Sequence, residues 1–228
     1  MFDVQVQRKR AVAFLLLCAP FFLNDFSNIF LYNNYKAWLA VDYIFVKALV
    51  LGYVFYLLRK NILTYKDLGV IGLRFKTFLF WTVLMSVAGL VLDQVGGRFW
   101  ASVLPKTSLG NLPSISNPLL YNIDLYIGLV FVGIVEEIIF RGLAFTILYE
   151  NFNSVPKALG LSSVVFGLIH WSLGINAIIS TAIIGSVFMI ALWRTKSVFP
   201  LIAAHFIVDH VAFSGLIPED FFKFLPFG

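Results

Sequence analysis

The sequence predicts an all-α fold: a polytopic transmembrane helix bundle of about seven spans, with six to eight compatible with the pattern. Three observations predict it. Hydrophobic residues make up 60% of the 228 positions and charged residues only 13%, where a soluble domain carries roughly a quarter charged. The apolar residues form runs near the roughly 20 residues that a spanning helix requires. The basic residues collect in short segments between those runs, as membrane topology demands.

The spans are expected at about 10–31, 38–58, 77–95, 123–149, 155–171, 174–193 and 198–216. The runs are too long for strands and lack a two-residue alternation. The first is the weakest, because Asn24, Asp25 and Asn28 interrupt it. Its start, Arg8-Lys9-Arg10 before an apolar stretch, resembles a signal peptide but has no small-residue cleavage site, so it is taken as an uncleaved span. Cys18 is the single cysteine and has no internal disulfide partner.

This divides the chain into N-terminal transmembrane helices (1–95), an extramembrane loop (96–122), a second helix bundle (123–217) and an interfacial tail (218–228). The loop contains Pro105, Pro113 and Pro118 and is expected to be irregular, either a lid over a site or, the preferred reading, a linker between two bundles. The tail sets Phe221, Phe222, Phe224, Leu225 and Phe227 around Lys223, a composition suited to the membrane surface.

Counting Lys and Arg by alternate loops puts eleven on the side of the N-terminus and four on the other, with Lys47 and Arg141 inside spans. The bias predicts a cytoplasmic N-terminus in a multi-pass protein of the cell (plasma) membrane. The net charge of +5 is thereby a topology signal. No basic stripe with interleaved aromatics marks a nucleic-acid partner; the expected partners are the lipid bilayer and a protein or peptide.

Ionisable groups inside spans are costly and face a bundle interior or a wet cavity. In the second half these are Glu136, Glu137, Arg141, His170, His205, Asp209 and His210, which include all three histidines. Glu137 and Arg141 are four apart, so a helix stacks them and they can pair. Glu136 is turned by about 100° and can stay free for proton transfer. Phe166 lies one turn before His170, and Gly167 permits close helix approach. His205 and Asp209 are again four apart on one face; His210 is turned away as a bystander. Each group taken alone also suits a structural role: a buried ion-pair staple, an interfacial histidine, a local His–Asp bond. Together they supply a base, an imidazole and hydrogen-bond donors, the equipment for water activation and oxyanion stabilisation.

In the first half, Asp42 and Lys47 are five apart, out of line on an α-helix, and are expected to reach for different partners. Asp93 lies near a span end, where it can snorkel to the interface. None of these is expected in the chemistry.

The three motifs, Glu136-Glu137…Arg141, Phe166…His170 and His205…Asp209, are similar to those of the CAAX-protease and bacteriocin-processing family, also called the Abi family, of intramembrane glutamate endopeptidases. The resemblance covers about residues 120–215. It implies an endopeptidase in which Glu136 is the general base, assisted by His170, while His205 and Asp209 stabilise the oxyanion. Glu137, Arg141 and Phe166 would support that site. Asp209 departs from the prenyl-protein proteases of the family, which often carry Asn there. An ionised Asp accepts but does not donate, so Asp209 either is protonated or orients His205. The resemblance implies no cofactor and no metal ligand. Zinc stays open, since two histidines and a glutamate can bind it, although the HExxH spacing is missing. Two other functions fit the same composition: a non-proteolytic membrane scaffold or regulator of the same family, and a transporter using Asp25, Asp42, Lys47 and Asp93.

Overall fold

The computed structural model describes residues 4–226, so Phe227 of the expected interfacial tail lies outside the described residues. Seven helical rods follow in order: α1 (Val4–Asn24), α2 (Tyr35–Arg59), α3 (Phe75–Val103), α4 (118–152), α5 (Val155–Leu168), α6 (Ile175–Thr195) and α7 (Phe199–Ser214). Among the described residues, four helices are long and apolar enough to cross a membrane: α1 with its extension to Phe30, α2, α3 and α6. The apolar helices α5 and α7 are shorter. Lipid-facing surfaces carry Leu15, Leu16, Phe45, Phe80 and Val83, all exposed. The chain is therefore a multi-pass helical membrane bundle.

Local sequence explains the helix ends. The Asn34 and Asn117 side chains accept from Ala37 N (3.2 Å) and Leu120 N (3.0 Å), capping α2 and α4. Pro118 and Pro156 sit in first turns, where the missing N–H costs nothing. Asn153 and Lys196 adopt left-handed conformations that end α4 and α6.

Four stretches widen into π-type turns: Val41–Ala48, Leu92–Gly96, Asp124–Gly128 and Ile138–Leu143. Each holds a membrane-embedded ionisable residue, namely Asp42 with Lys47, Asp93, Asp124 and Arg141. A π turn aligns residues five apart. Asp42 and Lys47 are consequently on one face and form a buried ion pair. The expectation that they seek separate partners is corrected by this local geometry.

Contacts define two ends of the bundle. At the basic end Arg10 pairs with Asp67 (2.7 Å) and Glu150 (2.8 Å), and Val198 N donates to Gly69 O (2.9 Å). At the other end Asn111 N donates to Asn28 O (2.9 Å), Leu109 N to Ser172 O (2.8 Å) and Ile175 N to Thr107 Oγ1 (2.8 Å). The irregular segment is shorter than the 96–122 expected. Helix α3 continues through Val103 and α4 begins at Pro118, leaving 104–117. It is also not a plain linker: its backbone is tied across the ends of α1, α5 and α6. Gly110 allows this approach, since a Cβ there would lie 2.6 Å from Asn28 O. In the bundle beneath, α5 lies along α6 and α7 packs against α3 and α4. Gly167 sits where a Cβ would lie 2.5 Å from Ile178 O, so only glycine permits the observed α5–α6 spacing.

Candidate active site

A cavity of about 710 Å³ runs into the bundle from the end covered by 104–117. Its lining brings together Glu136, Arg141, Phe166, His170, His205 and Asp209. The inner wall is closed by Arg141 and Phe188, each 1% exposed. The rim includes Leu112, 41% exposed, and Phe213, 50% exposed. The cavity thus opens away from the basic end.

Helix α4 presents its two adjacent glutamates to different surroundings. Glu137 is fully buried and does not reach the cavity. Arg141 Nε lies 3.2 Å from its Oε2 as an i,i+4 ion pair. Charge rather than an aligned hydrogen bond holds this contact, because both of those atoms lack a hydrogen-bond partner. The Arg141 guanidinium covers the Phe166 ring at 3.7 Å, a cation–π contact strengthened by exclusion of water. Glu137 Oε1 accepts from His205 Nδ1 at 2.7 Å. One carboxylate therefore ties α4 to α7.

Glu136 differs. It lines the cavity and takes no direct hydrogen bond from any side chain among the described residues. Lys47 Nζ lies 4.0 Å from its Oε1 and His205 Nε2 lies 3.9 Å from its Oε2. Contacts of that length leave the carboxylate lone pairs available to water. His205 Nε2 is closer to Asp209 Oδ2, at 3.3 Å. Both nitrogens of His205 thus face carboxylates, one in α4 and one in its own helix.

His170 follows the end of α5. Its Nδ1 lies 3.0 Å from Phe166 O. Donation to that carbonyl commits Nδ1 and leaves Nε2 available to the cavity. The Phe166 ring sits edge-on to both His170 and His205, with centroids 5.3 and 6.4 Å away. Glu136 and His170 share the cavity but make no direct hydrogen bond with each other among the described residues. His210 stays outside the cavity lining, packed on Tyr126 and Phe206.

The first half of the chain contributes side chains that sequence reasoning set aside. Asp25 accepts from Ser172 N (2.6 Å) and Asn28 (2.9 Å). Asn28 also donates to Ser172 Oγ (3.0 Å) and accepts from Trp38 Nε1 (2.8 Å). This buried network holds the turn that follows His170. Tyr43 donates to Asp124, joining α2 to α4. The available sequence signal was the cluster Asn24, Asp25 and Asn28 in an otherwise apolar run, which marks a polar interior rather than a weak span. Among the described residues, no group of three or more His, Cys, Asp and Glu side chains is placed to hold a metal ion.

Residues 118–211 match the family model described as Type II CAAX prenyl endopeptidase Rce1-like. The resemblance to the CAAX-protease family is borne out. The matched segment includes all three motifs, from Glu136 to Asp209, and none of residues 1–117. No curated protein and no solved structure matches the chain. The family points to a CAAX-type peptide hydrolase acting in the membrane.

Proposed function

We propose that this protein is an intramembrane glutamate endopeptidase that hydrolyses a peptide bond in a membrane-associated protein or peptide. The observation that carries this is the contrast at Glu136: a carboxylate open to the cavity, next to one that is buried out of its reach and held by Arg141 and His205. In this reading a water between Glu136 and His170 loses a proton to Glu136, and its oxygen attacks the scissile carbonyl. With its Nδ1–H donated to Glu137, His205 acts here as an imidazolium, and its Nε2–H donates a hydrogen bond to the oxyanion. Asp209, 3.3 Å from that nitrogen, orients the ring. On collapse the C–N bond breaks and the proton held by Glu136 passes to the leaving amine. Glu137, Arg141 and Phe166 fix the floor on which these groups stand. The donor set requires no cofactor.

The basic end, with Arg8, Lys9, Arg59, Lys66 and Arg194, is assigned to the cytoplasm of a plasma-membrane protein. The cavity mouth then faces the opposite side, and substrate enters beneath the 104–117 segment. Ser114 is exposed at that rim, and the single native thiol, Cys18, is buried. Ser114→Cys should therefore react with a membrane-impermeant maleimide on intact cells. Protection in intact cells with labelling after lysis would reverse the orientation.

The test of the activity is mass spectrometry of membrane and secreted protein termini in the native host, comparing wild type with Glu136→Ala and His170→Ala. One set of termini should vanish in both variants while both proteins stay folded. Unchanged termini with a phenotype tied to the protein's presence would favour a scaffold.

A further inference from the structure

Lys47 is 4% exposed and Asp42 2% exposed, both in the middle of a span. Placing two charges there is costly, and a pair serving only itself is readily replaced by apolar residues. The pair is not isolated, however. The π turn over Val41–Ala48 directs both side chains to the cavity. There Lys47 Nζ lies 4.0 Å from Glu136 Oε1, while His205 Nε2 is nearest the other carboxylate oxygen, Oε2. The second half offers Glu136 no comparable fixed cation. Arg141 is committed to Glu137, and His205 is shared between Glu137 and Asp209. The remaining charged side chains that line the cavity around Glu136 include the carboxylates Asp42 and Asp209, neither of which can serve as a cation.

We propose that Lys47, held in place by Asp42, is a positioning residue for the reaction: it keeps Glu136 as an oriented carboxylate able to take a proton from water. The proposal rests on the assignment of Glu136 as the base. It makes α2, outside the segment that matches the family, a functional part of the site. Asp42 fixes the ammonium by ion pairing, and Asn24 Nδ2 holds Asp42 Oδ1 at 2.7 Å. The ammonium remains 4.0 Å from Glu136, near enough to act through charge and too far to occupy the lone pair that water needs.

The deciding variant is the double neutral Asp42→Asn/Lys47→Met, which leaves neither charge orphaned. It should be purified in detergent, checked for thermal stability, reconstituted and assayed on two internally quenched peptides. One carries a C-terminal S-farnesylated cysteine tail and the other is its unprenylated twin. The expected result is a kcat lowered about tenfold or more, with KM within twofold and stability retained. Lys47→Arg, with the charge kept, should recover most of the loss. Full kcat in the folded double variant would overturn the proposal, since a merely structural pair is dispensable once both charges are gone.

A second readout needs neither substrate nor turnover. Dicyclohexylcarbodiimide modifies protonated carboxyl groups in apolar sites, and peptide mapping reports its attachment to Glu136. Labelling of Glu136 should rise several-fold in Lys47→Met and in the double variant, and stay near wild type in Lys47→Arg. Equal labelling in all of them overturns the proposal even if the double variant is inactive. Should wild type cleave neither peptide, the proteolytic reading is challenged while the labelling result still decides the role of Lys47.

Discussion

Glu136 and Glu137 are neighbours in sequence and opposites in environment. Glu137 lies out of reach of the cavity, held between Arg141 of its own helix and His205 of α7. Glu136 belongs to a cavity in which the nearest cations stand 3.9 and 4.0 Å off. A rotation of about 100° between successive helical residues separates the two. In the proposed mechanism one helix supplies both the rigid floor of the site and its reactive group, because the paired and the open carboxylate are adjacent. The floor should then govern stability and the open layer should govern rate.

The largest effect should come from breaking the floor. Arg141→Met leaves Glu137 buried without its cation and should cost about 3–5 kcal/mol, read as a large drop in thermal stability in detergent. Glu137→Gln/Arg141→Met removes both charges and should recover most of that stability. If the double variant is no better than the single one, the layer is not held by this ion pair. Next is the scaffold around the site. Gly167→Ala drives a methyl against Ile178 O and should destabilise by about 1–3 kcal/mol, measured in the same way. A smaller effect is expected at the mouth. Gly110→Ala displaces the 104–117 segment from Asn28 and should change KM more than kcat in a reconstituted assay, with a smaller loss of thermal stability than Gly167→Ala. The smallest is His210→Ala, which should leave cleavage at wild-type rates because the ring lies outside the cavity lining. A large loss of kcat there would mean that the boundary between the two environments is misdrawn.

Much of this arrangement was legible because it obeys the α-helical repeat. Glu137 with Arg141 and His205 with Asp209 are spaced by four, so their pairing within one helix could be anticipated from spacing alone. The bond from His205 to Glu137 could not, because it joins helices 68 residues apart and depends on the packing of α7 on α4. The pairing of Asp42 with Lys47 is hidden in the sequence for a definite reason. Five-residue spacing misaligns side chains on an α-helix and aligns them on a π turn, and nothing in Val41–Ala48 announces that widening. Asp25 and Asn28 looked like flaws in a span because their partners, Ser172 and Trp38, are distant in sequence or in another helix. The 104–117 segment reads as a linker by composition, since its main attachments are backbone hydrogen bonds that no side-chain pattern encodes.

The most direct test of the central claim is the pair Glu136→Gln and Glu137→Gln, compared in one reconstituted preparation for peptide cleavage and thermal unfolding. Glu136→Gln should melt near wild type and lose cleavage by at least about a thousandfold, whereas Glu137→Gln should be markedly less stable. Wild-type cleavage by a folded Glu136→Gln protein would contradict the central claim.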